Sequence, residues 1–116
     1  MVEISPQAFE DLVAKALDGM PPAIAAMFDN VVVLVEDAHP DDPHLLGLYE
    51  GVPLTERDGG YGLMAMPDRI TVFRRPICRI SRTEADVIEE VRITVVHELG
   101  HHVGIDDDRL HQLGWG

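Results

Sequence analysis

A chain of 116 residues is long enough to bury one apolar core and too short for two, so residues 1–116 are expected to form a single domain. Its content, 46% apolar and 26% charged, is that of a globular protein and excludes wholesale disorder. The 21 acidic residues outnumber the 9 basic ones and leave a formal net charge of -12, a field that repels phosphate backbones and anionic lipid and so argues against nucleic acid or membrane surfaces as principal partners.

Cys78 has no second cysteine with which to form an intrachain disulfide. The first residues lack the basic, apolar and small-residue pattern of a secretory leader, which predicts a cytoplasmic location. Apolar residues 31–35 give way at once to Glu36 and Asp37, far short of a bilayer span.

Ser5 followed by Pro6 supplies an N-cap and a proline at the first helical position. Phe9, Leu12, Val13, Ala16 and Leu17 then recur at helical spacing, predicting an amphipathic helix that ends near Asp18 and Gly19. Pro21 and Pro22 can start a shorter helix through Phe28, and the β-branched run 31–35 predicts a buried strand. Residues 36–44, rich in proline, histidine and aspartate, read as a solvated loop, 45–50 as a second strand and 51–62 as turn-rich. A third strand is expected at 70–73 and a short helix or helical turn at 74–80.

Ser81 and Glu84 match the spacing of a capping box and introduce the longest periodic segment, a helix to about Val103. Projected at about 100° per residue, Ile88, Val91, Val95, Val96, Leu99 and Val103 share one broad face. The segment also carries His97-Glu98-x-x-His101. One helical turn separates the histidines, so both imidazoles can share a metal ion with Glu98 beside them. They project opposite the valines, near Thr94 and Glu90, which suits a cleft better than a core. This is the side-chain set of a zinc-dependent hydrolase.

A catalytic zinc site usually has three protein ligands and one open position. No glutamate follows Glu98, which excludes a third ligand of that type from a downstream helix. The motif does extend to His-Glu-x-x-His-x-x-Gly-x-x-Asp, with Gly104 where a left-handed residue lets the chain leave the helix and Asp107 where it returns. Asp107 is the preferred third ligand, with Asp106, Asp108 and His111 as alternatives. The same aspartates could instead cap a last short helix through Leu110 and Leu113.

Other residues carry weaker signals. His102 points away from His101 on the helix and suits surface or supporting duty. His39 and His44 are either solvated or a second metal pair. Arg69, Arg74, Arg75, Arg79 and Arg82 pair with an acid-rich surface or dock an acidic partner. Tyr49, Tyr61 and the arginines are oxyanion-donor candidates, and residues 59–66 a candidate substrate-facing edge or lid.

From Thr94 through the extended motif to Trp115, the chain resembles the zincin-like metallopeptidases, most closely a family of small bacterial minimal zincins. The resemblance extends to residues 46–57 and 67–77. It implies an α+β fold: a small mixed β-sheet whose edge strand pairs with an extended peptide, an active-site helix carrying His-Glu-x-x-His, and here additional N-terminal helices. It also implies one zinc ion held by His97, His101 and Asp107. No methionine follows the motif, so the methionine turn of the metzincins is absent, and aspartate replaces their usual third histidine.

The expected chemistry is metal-assisted hydrolysis of a peptide or protein substrate, with Glu98 as the general base. Two rivals come from other classes. A small metal-dependent RNA-processing hydrolase uses comparable histidine spacing but lacks the glutamate, and the net charge of -12 opposes RNA. A non-catalytic zinc-binding interaction module would close its metal with four protein ligands.

Overall fold

The structure is a computed structural model that describes residues 1–28, 30–51 and 67–102, the side chain of His102 excepted. Helix α1 spans Pro6–Asp18, and the Ser5 hydroxyl accepts the Ala8 N–H at 3.2 Å as its cap. Phe9, Leu12, Val13 and Ala16 form its buried stripe. A one-turn helix α2, Pro22–Ala25, passes into a 3₁₀ turn, Ala26–Phe28, where one continuous short helix was expected. Asn30 has φ of 59°, a left-handed conformation that asparagine tolerates better than most residues, and turns the chain into the sheet.

Strands β1 (Val31–Glu36), β2 (Gly47–Glu50) and β3 (Asp68–Phe73) form a mixed sheet in the order β1-β3-β2. β1 runs parallel to β3, with Val33 opposite Ile70, and β2 runs antiparallel to it, with Gly47 opposite Val72 and Tyr49 opposite Ile70. The buried strand expected at 31–35 proves one-sided. Val31, Val33 and Val35 turn partly inward, whereas Val32 and Leu34 are 38% and 43% exposed, because β1 flanks the central β3 and the helices pack on one face. β3 starts two residues earlier than expected, since Asp68 and Arg69 still pair with β1.

Helix α3 (Arg74–Ile80) follows β3 directly, and helix α4 (Glu84–His102) carries the motif. Its cap is displaced from the expected pair. Thr83, not Ser81, is the N-cap: its hydroxyl accepts the Asp86 N–H at 3.1 Å while the Asp86 carboxylate accepts the N–H groups of Thr83 and Arg82. Ser81 is buried and donates its hydroxyl to the Ile77 carbonyl at the end of α3. A small polar residue at either position satisfies the sequence pattern, and burial decides between them.

The core lies between the inner sheet face and the helices α1 and α4. Ile70 and Val72 of β3, Phe9 and Ala16 of α1, and Val87, Val91 and Val95 of α4 are fully or almost fully buried there. Val87 joins the expected apolar face, while Ile88 packs at its margin. Arg92 fastens the two helices by donating Nε–H to the Ala16 carbonyl at 3.0 Å. Arg74 ties the chain's start to the sheet, donating to the Ile4 carbonyl and pairing with Asp37 at 3.0 Å. No helix among the described residues is long and apolar enough to cross a membrane.

β2 approaches α4 so closely at Gly47 that a Cβ there would lie 2.5 Å from Thr94 Cγ2 and 3.2 Å from the Thr71 carbonyl oxygen. Gly47→Ala is therefore expected to destabilise the protein by about 1–3 kcal/mol in urea unfolding through overpacking. Thr94→Ser, which removes the opposing methyl, should recover part of that loss in a double-mutant cycle; strict additivity would show that the two residues do not clash.

Candidate functional site

α4 has a second stripe beside its core-facing one. Glu90, Thr94, His97, Glu98 and His101 follow one another at intervals of four, three, one and three, a spacing that winds down one side of a helix. The cap at Thr83 and the buried valines fix the rotation of the helix about its axis, and so fix this stripe. His97 and Glu98 are half-buried and His101 is exposed. The His97 and His101 rings lie 4.2 Å apart between centroids, inclined at 67°.

Glu98 turns toward β2. Its Cγ would stand 3.7 Å from a Cβ on Gly47, and its carboxylate accepts the backbone N–H of Tyr49. The antiparallel ladder explains why that N–H is available. Phe73 donates its N–H to the Leu46 carbonyl, so Leu46 and Phe73 are a hydrogen-bonded pair, and alternation turns the backbone groups of Gly47 and Tyr49 away from β3. Burial pushes the Glu98 carboxyl above its ordinary value, while the two imidazoles and the Tyr49 N–H pull it back down.

The helix stripe forms one wall of a cleft of about 480 Å³. Asp42, His44, Leu45 and Leu46, from the loop ahead of β2, form the other wall and approach Glu90, Ile93, Thr94, His97 and Glu98. The loop is held by its own aspartate: Asp42 Oδ1 accepts the His44 N–H at 3.0 Å, and the Asp42 carbonyl accepts the Leu45 N–H.

The expected site residues divide into two groups. His97, Glu98 and His101 come together on α4. Asp107 lies outside the described residues, as do Gly104, Asp106, Asp108 and His111, together with Tyr61 and residues 59–66. Among the described residues no group of three histidine, cysteine, aspartate or glutamate side chains is arranged to hold a metal. The two imidazoles nevertheless suit a borderline divalent ion that further ligands complete, with the Glu98 carboxylate beside it.

Among the described residues His39 and His44 belong to no group arranged to hold a metal. The His39 ring packs edge-on against Phe73, and its Nδ1 accepts the Asp41 N–H at 3.1 Å. The Tyr49 hydroxyl donates to Asp68 at 2.7 Å, so the contribution of this tyrosine to the site is its backbone N–H, not an oxyanion donor on the ring. Among the described residues, the clustered arginines Arg69 and Arg74 make ion pairs with Glu50 and Asp37 respectively. Sequence reasoning missed Gly47, the Tyr49 N–H and the acidic cleft residue Asp42. A glycine flanked by leucines was the one available signal, since close backbone approach needs a residue without Cβ.

Residues 28–115 match the family model described as zincin-like metallopeptidase, about three quarters of the chain. No curated protein matches it.

Glu90, half-buried at the cleft, also has its carboxyl pushed above the ordinary value, first by burial and then by the like charges of Glu89 and Asp86. A carboxyl raised on folding favours the folded state below the unfolded value and loses that contribution as pH rises through the folded value. Ionised Glu90 therefore costs stability at neutral pH. Glu90→Gln is expected to raise the urea midpoint at pH 7, with the gain disappearing at a pH below 4.5, where the carboxyl is protonated in both states. A midpoint lowered at pH 7 would contradict the assignment.

Proposed function

The chain belongs to the zincin-like metallopeptidase family, whose members are metal-dependent peptidases that use zinc, and from that premise we propose that it is a peptidase of one domain that hydrolyses peptide bonds with a single zinc ion and Glu98 as general base. The observation that carries this reading is the close pairing of His97 and His101 on α4, with the Glu98 carboxylate on the same helix tethered to the backbone of a neighbouring strand. His97 and His101 would hold the ion, with Asp107 as its third protein ligand. The chemistry such an ion supplies is Lewis acidity at a carbonyl and at a water molecule.

The chain's own groups do the rest. Glu98 takes the proton of the attacking water and delivers it to the departing amide nitrogen. The Tyr49 N–H orients the carboxylate and leaves its second oxygen to act. The outward-turned backbone of Gly47 offers an extended peptide a partner beside the cleft, as an added strand.

Glu98→Gln is expected to keep zinc at one equivalent while lowering peptide hydrolysis by roughly 10²-fold or more, the usual scale for a general base. Metal content by mass spectrometry and turnover of a quenched-fluorescence peptide library check the two halves. Loss of zinc, or retained turnover, would sink the role assigned to Glu98. Asp107→Ala should weaken zinc binding in a competing-chelator titration, and undiminished affinity would remove Asp107 from the ligand set.

A further inference from the structure

We propose that the cleft beside His97 and Glu98 selects peptides carrying a lysine or arginine side chain, received by the carboxylate of Glu90 with Asp42 on the facing wall. The inference rests on the peptidase reading for the reason a peptide would enter, but not for the chemistry of recognition.

The cleft carries two kinds of surface. Glu90 and Asp42 give it anionic groups, while Ile93, Leu45 and Leu46 give it apolar area. A long aliphatic stem ending in a cation matches both, because lysine and arginine lay their methylenes on apolar surface and carry the charge at the tip. Glu90 precedes His97 by seven residues, which places it about 10 Å away along the helix axis. An extended peptide advances roughly 3.3 Å per residue, so the charge lies within reach of a side chain one or two residues from the scissile bond.

Three further observations favour a cation. Among the described residues no basic side chain pairs with Glu90: Arg92, on the same helix, is drawn to the Ala16 carbonyl, while Arg69 and Arg74 pair with Glu50 and Asp37. The charges of Glu89 and Asp86 have the same sign and raise the cost of ionising Glu90. A carboxylate kept half-buried against its own stability, in the wall of the cleft that holds the proposed general base, has a use that folding alone does not supply. The net charge of -12 also draws cationic peptides in from a distance.

The test is a binding measurement that needs no turnover. Zinc-loaded, full-length Glu98→Gln protein is titrated by calorimetry with end-blocked, alanine-rich hexapeptides identical apart from a central arginine, citrulline or glutamate. The arginine peptide is expected to bind about tenfold more tightly than its neutral citrulline twin, and the glutamate peptide more weakly than either. Adding Glu90→Gln should bring the arginine and citrulline affinities within about twofold, and Asp42→Asn should narrow the gap in part. Glu84→Gln, an exposed change in the first turn of α4, should leave the tenfold ratio intact. Equal binding of arginine and citrulline, no binding of the arginine peptide, or a ratio that survives Glu90→Gln would overturn the proposal. Wild-type protein that binds the arginine peptide in the Glu90-dependent way yet cleaves no peptide would leave this inference standing and defeat the peptidase reading; cleavage without a cationic preference would do the reverse.

Discussion

The close approach of β2 to α4 is the constraint from which the arrangement of the site follows. A strand backbone can come within reach of a helix side chain on its own layer only if nothing larger than hydrogen stands between them, and Gly47 meets that condition against Thr94. With the gap closed, the next outward-turned backbone N–H, that of Tyr49, meets the Glu98 carboxylate. Two elements distant in sequence thereby share one hydrogen bond at the place where the proposed chemistry occurs. The Tyr49 ring strengthens the join from the other side, since its hydroxyl reaches across the sheet to Asp68.

α4 serves as both a structural beam and a carrier of reactive groups, and its two stripes keep these roles separate. Val87, Val91, Val95 and Leu99 bury one side completely or almost so, and the reciprocal Thr83 and Asp86 hydrogen bonds fix where the helix begins. The imidazoles therefore need no packing of their own to be held in position. This matters in a chain of 116 residues, where few side chains remain to support a site once a core has been built. The cleft uses the loop ahead of β2 as its second wall, stiffened by a local aspartate turn.

How much of this was legible in the sequence depended on the range of the interaction that decided it. Local rules located α1, with Ser5 and Pro6 at its start, and the motif helix with its histidines turned from the valines. They misplaced the cap of that helix because Ser81 and Thr83 are equally suitable in isolation, and only the burial of Ser81 against Ile77 separates them. They read residues 31–35 as fully buried because a β-branched run looks the same whether one face or both are covered; strand order, a tertiary property, decides. The Tyr49 contact was invisible for a different reason. A backbone N–H belongs to every residue except proline, so no side-chain type announces which one will meet Glu98. Likewise, nothing local to residues 42–46 reveals that they will face a helix that begins some forty positions later.

The glycine at position 47 has a consequence for how the chain reaches a single folded state. It is flanked by Leu46 and Leu48, and a slip of β2 by one residue along β3, in either direction, would bring a leucine to the position facing Thr94. A strand shifted by one also turns its alternate side chains to the opposite face. The wrong registers are thus rejected sterically at the same point where the right one delivers the Tyr49 N–H to Glu98. Gly47 acts as a gauge: the sheet can close on the helix only when it is in the register that assembles the site, and folding errors in this strand are excluded by shape before any chemistry is attempted.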